Sequence, residues 1–416
     1  MVVPFPVPVK PLRFSRSIRG ERAGAPRRAT NGVKVDCVTT SWAPPSALEI
    51  IGVVAGHAGF SHHTQETIRH LLVYGVEIGV RATSGDAVAT WPAWLQPYAR
   101  PLPEATMCLQ ICPPPFVNWD TRLPVVTFTT FEGDRIHQAY VDVAMRSART
   151  VVTTRQCKEA WVASGVPESL VGVVPLGVDS ARFDGSAAPL ELTLPDGSPL
   201  SSRRTRFLHV SSAGPRKNQA GLVRAWLEAT KPDDDAALVL RVGDSWRGSS
   251  NDVRNAIRQA ERKAGKSLAD AAPIVMLNKG LPEDDMPRLY TACTHYISAS
   301  CGEGWDLSTI EAAASGLTLI VPDHTAYREY LDPTVATMIP SRLELNTMPN
   351  AGPFANYFKG VNWWRPEHDA LSGAIRRAVS GEALARGAQA RVRTDFTWEA
   401  TAIRLLGELA IARGAW

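Results

Sequence analysis

Along the chain, short continuous apolar runs alternate with stretches whose apolar positions fall three and four apart. The runs predict buried strands, and the spaced stretches predict helices lying on them. In the amino-terminal half, Glu49-Ile50-Ile51-Gly52-Val53-Val54-Ala55 reads as a strand, 56–60 as a glycine turn, and 62–72 as a helix capped by Ser61. Val76-Glu77-Ile78-Gly79-Val80 completes a β-α-β unit, without the Gly-x-Gly-x-x-Gly of a dinucleotide loop. Further strands are expected at 107–111, 125–129, 151–153 and 171–174, with a helix at 156–163. A segment rich in Pro, Gly and Ser, 184–204, interrupts the alternation. It resumes with strands at 206–210, 238–244, 274–277, 295–299 and 317–323, and with helices at 219–229 and 284–293. Residues 341–366 read as loop, and helices follow at 367–379, 383–393 and 398–412. Two successive runs of strand–helix alternation imply an α/β protein. Its two doubly wound, Rossmann-like parallel-sheet domains would face a cleft.

The strand at 295–299 runs into Ser300-Cys301-Gly302-Glu303-Gly304-Trp305-Asp306-Leu307-Ser308-Thr309-Ile310-Glu311-Ala312, a glycine turn opening a small-residue helix that stops at Gly316. Such a turn aims backbone N–H groups and the positive end of a helix dipole at one point, a ready anion site. Two carboxylates flank it, Glu303 and Glu311. Ser308-x-x-Glu311 by itself is a capping box, which accounts for Glu311 but leaves Glu303-Gly304-Trp305 unexplained. A second loop, Ser211-Ser212-Ala213-Gly214-Pro215-Arg216-Lys217-Asn218, sets two cations before a helix with Asn218 as N-cap. Cations there oppose the helix dipole at ~0.3–1 kcal/mol each when exposed, unless an anion sits between them. Arg216, Lys217 and the helix N-terminus therefore read as a pyrophosphate clamp.

The spacing Glu303-x7-Glu311, within Gly-Glu-Gly-Trp-Asp-Leu-Ser-Thr-Ile-Glu-Ala-Ala-Ala-Ser-Gly, resembles the donor-site motif of retaining GT-B glycosyltransferases of group 1, family 4-like. The resemblance implies that Glu303 contacts the transferred sugar and Glu311 the nucleotide ribose hydroxyls. Arg216-Lys217-Asn218 matches an Arg-Lys-Asn variant of that family's phosphate loop. It departs from the commoner version, whose arginine five positions before the lysine is Ser212 here. Glu303, Lys217 and Arg216 are the catalytic candidates by this resemblance. Donor-binding candidates are Glu311, Gly304, Trp305, Asp306, Leu307, Ser308, Ser212, Gly243, Gly280 and Leu281, the last two beside the nucleotide base. His57, Gly59, Phe60, His62 and Glu132 are candidates for the acceptor side of the cleft, as is His63. Pro175-Leu176-Gly177-Val178-Asp179-Ser180-Ala181-Arg182-Phe183 resembles the family's exit from its first domain.

Composition adds limits. Hydrophobic residues make up 44% of the 416 and charged residues 21%, as in an ordinary globular protein with more than one domain. Cys37, Cys108, Cys112, Cys157, Cys293 and Cys301 lack paired Cys-x-x-Cys spacing and fit a reducing compartment without a zinc site. Asp233-Asp234-Asp235 and Glu283-Asp284-Asp285 read as turn caps rather than a metal site, so no metal and no resident cofactor are expected. No apolar run approaches about 18 residues, so no transmembrane segment is expected. The net charge of +4 conceals an asymmetry: residues 1–34 hold eight Lys and Arg against Glu21, leaving −3 for the remainder. That Pro- and Arg-rich tail buries too little to fold alone. It reads as a solvated segment, a tether to an anionic lipid, nucleic acid or protein partner, or a transit peptide.

These readings divide the chain into a tail (1–34), an acceptor domain (35–180), a linker (181–204), a donor domain (205–397) and a returning helix (398–416). The expected activity is retaining transfer of a hexose or similar sugar from a UDP-, GDP- or ADP-sugar donor to a hydroxyl-bearing glycan, lipid or small molecule. The expected site of action is the cytoplasm, with peripheral attachment to a membrane surface left open by the tail. Three alternatives stay open: another GT-B enzyme such as an epimerase or phosphorylase, a non-catalytic nucleotide-sugar binder, and glycosylation of a modified nucleic-acid base. The −3 of the body argues against a broad phosphate-binding surface.

Overall fold

The computed structural model describes residues 43–56, 59–83, 85–243, 249–278, 280–348 and 355–415. His57 and the basic tail lie outside them. The first half lays down β1 (Ala47–Gly52), α1 (Gly59–Val73), β2 (Glu77–Ala82), β3 (Met107–Ile111), β4 (Val125–Thr129), α2 (Gln138–Arg146), β5 (Arg149–Val152), α3 (Arg155–Ala163) and β6 (Val171–Val173). All six strands are parallel, in the order β2-β1-β3-β4-β5-β6. Every residue of β3 and β4 is buried. A strand covered on both faces needs a continuous apolar run, and that is why these two segments were legible without alternation.

The second half repeats the scheme with β7 (Thr205–Ser212), α4 (Gln219–Ala229), β8 (Ala236–Gly243), α5 (Ser250–Ala264), β9 (Ile274–Leu277), α6 (Asp285–Thr291), β10 (His295–Ile297), α7 (Leu307–Ala314), β11 (Thr318–Pro322), α8 (Tyr327–Tyr330) and β12 (Thr337–Ile339). These strands are also all parallel, ordered β9-β8-β7-β10-β11-β12. The chain direction across the sheet reverses between β7 and β10. Ligands of open parallel sheets bind in the crevice beyond the strands' carboxyl ends at that reversal. The two loops singled out by sequence, 213–218 and 298–306, leave those two strands.

The segment read as loop is a hairpin: β13 (Ser341–Leu345) pairs antiparallel with β14 (Asn362–Pro366). Leu343 and Leu345 are exposed while Trp363 is buried, so no simple alternation announced it. Helices α9 (His368–Ser380), α10 (Ala388–Asp395) and α11 (Trp398–Gly414) follow, α10 beginning later than its spacing suggested. Helix α11 lies on the first sheet: Thr401 Oγ1 donates to Pro175 O at 2.9 Å, and Arg149 pairs with Glu408. Gly172 and Gly177 permit this approach, since a Cβ at either would overlap the Glu408 carboxylate or the Trp398 backbone. Among the described residues, no helix is long and apolar enough to cross a membrane.

Ser61 lies inside the first turn of α1 rather than at its cap, and its buried Oγ has no partner among the described residues. The capping box at Ser308 is also overturned. Asp306 occupies the N-cap position of α7 with φ 66°, which places Ser308 inside the helix.

Candidate active site

The turn after β7 is built tightly. Pro215–Lys217 form a single 3-10 turn, and Asn218 adopts φ 52° before α4 begins. The Asn218 side chain does not cap the helix; its Nδ2 donates to Ala299 O at 3.1 Å and ties this turn to the end of β10. Gln219 Nε2 donates to Ser211 Oγ and Ser212 O, fixing the strand end. Cys301 N donates to Arg216 O at 2.7 Å, so the two loops are joined backbone to backbone. Lys217 and Glu303, 86 positions apart in sequence, thereby meet.

Glu303 is the centre of the meeting, 4% exposed. Lys217 Nζ lies 2.6 Å from its Oε1, and Arg216 Nη1 lies 3.0 Å from its Oε2. Ser300 Oγ donates to Oε1 at 2.6 Å. The Arg216 guanidinium also donates to Gly302 O and reaches Glu132 Oε1 across the cleft, with Nη2 at 3.1 Å. Burial alone would push the Glu303 carboxyl upward, but Arg216 and Lys217 prevail and hold it down to about 2. Burial likewise works against the charge of Arg216, and Glu132 and Glu303 more than offset it. The anion that reconciles two cations with a helix start is therefore Glu303.

Glu311 sits one turn into α7. Tyr290 OH donates to its Oε2 at 2.8 Å. Burial raises its carboxyl to about 7, against that hydrogen bond and the more distant Arg182. Asp306 accepts from Thr309 Oγ1 at 2.7 Å and from Tyr327 OH at 2.8 Å, and burial with nearby Glu303 raises its carboxyl as well. Three carboxylates of the second half thus differ in acidity: Glu303 is held low by its cations, while burial raises Asp306 and Glu311. Such separation of acidities marks a functional site more often than a structural one.

The remaining candidates fall in several places. Gly304 abuts the first half: its carbonyl accepts from Thr153 Oγ1 at 2.6 Å, and a Cβ there would strike Thr130 Oγ1. The Trp305 ring is buried against Tyr330 and Phe396 at centroid distances of 5.3 and 5.9 Å. Leu307 packs on the same core, and Ser308 is half-buried in the first turn of α7. Ser212 and Gly243 end the paired strands β7 and β8. Gly280 and Leu281 lie in the β9–α6 loop, Leu281 packed on the core. Gly59 and Phe60 open α1 at the carboxyl edge of the first sheet. His62 meets Trp398 edge-on at 5.6 Å, and burial lowers its pKa. His63 is buried against Phe128 at 4.3 Å and brought down to about 3 by burial, a core histidine.

Sequence reading missed Ser300, Tyr290 and Thr325, which contact the two glutamates. Nothing in their local pattern marks them, except that Ser300 opens the motif. The acidic clusters are occupied by turns and ion pairs: Asp234 accepts from Lys231 N, Asp235 from Arg204 N, and Asp285 pairs with Arg288 at 2.8 Å. Among the described residues, no group of three or more His, Cys, Asp or Glu side chains is arranged to hold a metal ion.

Residues 204–344 match a family profile described as glycosyl transferases, group 1. No curated protein matches the chain. Among solved structures, the fold is similar to sucrose-phosphate synthase from Thermosynechococcus elongatus, with TM-score 0.61 and 16% identity over 88% of this chain and 98% of that one. It is similar to HepE from Anabaena in complex with UDP and glucose, with TM-score 0.60 and 14% identity over 88% and 99%. A glycosyltransferase from Rickettsia africae gives TM-score 0.59 and 15% identity over 87% and 97%. At these identities the likeness is one of fold.

Proposed function

We propose that this chain is a retaining glycosyltransferase, taking a hexose or similar sugar from a nucleotide-diphosphate donor and passing it to a hydroxyl acceptor. The observation that carries the reading is the meeting of Arg216, Lys217 and Glu303 where the second sheet reverses direction. Two cations and a helix N-terminus suit a diphosphate, and a carboxylate beside them suits the sugar it carries. The matched profile, confined to the second half, supports assigning the donor to 205–397 and the acceptor to the cleft face of 35–180. HepE carries UDP and glucose, so UDP-sugars are the first donors to try.

In this mechanism the donor's doubly negative diphosphate draws Arg216 and Lys217 away from Glu303. As the glycosidic bond breaks, charge gathers on the departing phosphate, and these preorganised donors stabilise it, typically by ~3–4 kcal/mol each. Glu303, released from its cations, faces the sugar as it becomes oxocarbenium-like. The departing phosphate takes the acceptor's proton on the same face, which preserves anomeric configuration. Glu303 and Glu311 are not assigned the acid and nucleophile roles of a retaining glycosidase. Glu311, anchored by Tyr290 through one oxygen, offers the other to the ribose hydroxyls.

Calorimetry of the full chain with UDP, GDP and ADP tests the site. At least one should bind, and Lys217→Ala should weaken it at least about tenfold, as for a charge-assisted contact. Absence of binding to all three, or equal binding by Lys217→Ala, would remove the diphosphate from the site.

A further inference from the structure

His324 is 1% exposed and has both ring nitrogens engaged. Nε2 lies 2.9 Å from Ser300 O, and Nδ1 lies 2.9 Å from Thr325 Oγ1. A carbonyl oxygen only accepts, so the proton is on Nε2. Burial brings the ring down to about 4, so it is neutral at physiological pH, and Nδ1 accepts from the Thr325 hydroxyl. With its proton committed, Thr325 Oγ1 accepts from Glu303 N at 3.1 Å. Ser300, whose carbonyl His324 holds, donates its own hydroxyl to Glu303 Oε1 at 2.6 Å. The bonds form a closed ring that begins at the Glu303 amide and ends at its carboxylate. Every donor in it has an acceptor, and Ser300 Oγ, closest to Glu303 Oε1, also lies 3.3 Å from Arg216 O and from Gly302 O.

Two further features indicate that the ring is held in place. Thr325 has φ +42°, a left-handed conformation that a β-branched residue adopts only under constraint, at about 1–3 kcal/mol. That conformation is what brings its hydroxyl under the Glu303 amide. The Trp364 ring stacks on His324 at 5.9 Å and 23°, while the Trp364 backbone N–H donates to Cys301 O at 2.8 Å. Strand β14 thus clamps the imidazole and the Glu303 loop together. An ordinary core histidine would need neither a strained partner nor a connection to the reacting carboxylate.

We propose that His324 and Thr325 are positioning residues for Glu303, fixing the 300–303 turn so that the carboxylate stays aimed when the diphosphate takes its cations. The proposal rests on the glycosyltransferase reading above. Arg216 and Lys217 hold the carboxylate in this arrangement. Once they turn to phosphate, Ser300 and the ring remain to hold it. The ring should therefore matter to turnover and hardly at all to nucleotide affinity.

The test uses Thr325→Val, which keeps the β-branch and its backbone cost but removes the hydroxyl, and Thr325→Ser, which restores it. With a nucleotide sugar that the wild-type chain hydrolyses, Thr325→Val should lose about 100-fold in kcat, the cost of a slight misplacement at the reacting centre. UDP affinity should stay within about twofold, and Thr325→Ser should recover kcat to within a few-fold. Nitrogen NMR of the full chain, with the His324 signals identified by their loss in His324→Gln, should report a neutral Nε2–H ring at pH 7. Unchanged kcat in Thr325→Val, or no recovery in Thr325→Ser, would overturn the proposal. So would the opposite tautomer or a protonated ring. A wild-type chain that turns over no nucleotide sugar would instead refute the underlying reading, and the NMR result would then judge the ring separately.

Discussion

Replacing Glu303 by Gln removes one charge from a group of four, buried Arg216 and Glu303 with partly buried Lys217 and Glu132. The Glu303 carboxyl, ordinarily near 4.5, is held at about 2 in the folded protein. At 1.36 kcal/mol per unit, that depression contributes about 3 kcal/mol of stability at neutral pH. Because the folded value lies below the ordinary one, the contribution is complete above about 4.5 and is lost as pH falls towards 2. Glu303→Gln should therefore lower the melting temperature of the empty protein by several degrees at pH 7, and by progressively less below pH 4. A diphosphate would return the missing negative charge to Arg216 and Lys217. If half of the ~3 kcal/mol is recovered on binding, UDP should bind the variant about tenfold more tightly than wild type. Sugar turnover should nevertheless collapse, since the carboxylate facing the sugar is gone. Differential scanning fluorimetry from pH 3 to 8, calorimetry with UDP, and donor hydrolysis read the three effects. Unchanged melting together with unchanged or weaker UDP binding would refute the competition between Glu303 and phosphate.

Three other predictions are independent of that variant. Glu311, its carboxyl raised to about 7 by burial, accepts from ribose hydroxyls more strongly when ionised, so nucleotide affinity should rise with pH up to about 7 and level off above it; Glu311→Gln should bind weakly with a flat pH profile, and an unaltered profile would return Glu311 to a structural role. Gly304→Ala drives a methyl into Thr130 across the cleft, which should cost about 1–3 kcal/mol and depress turnover, both readable by melting and hydrolysis. Removing residues 1–32 should leave melting and donor hydrolysis unchanged, while any binding to anionic vesicles falls and loses its steep salt dependence.

The sequence carried the scaffold well where burial is two-sided. Strands β3, β4 and β9 and helix α4 fall where the apolar runs put them. Helix α5 escaped because only Val253 and Ala260 are buried along it, too sparse a stripe to set a period. The start of α7 was misplaced by two residues because Asp306 takes a left-handed conformation that no residue-type rule assigns to aspartate in advance. The candidate site was legible as two loops and illegible as one cluster. Lys217 and Glu303 are joined only because β7 and β10 are sheet neighbours, which is a property of strand order and not of spacing. Glu132 was placed on the cleft by resemblance, but its contact with Arg216 depends on how the two sheets face each other. The His324 ring had no local signature, since the two bonds that tie His324 and Thr325 to the Glu303 turn cross from one loop to another.

In the proposed reaction, this cleft breaks a nucleotide-sugar bond with retention. Proton NMR of the wild-type chain incubated with a panel of α-linked nucleotide sugars tests both halves at once, because a slow hydrolytic side reaction releases a sugar whose first-formed anomer is visible before mutarotation. Release from at least one donor is expected, with the α anomer appearing first. Release of the β anomer first, or no release from any donor, would contradict it.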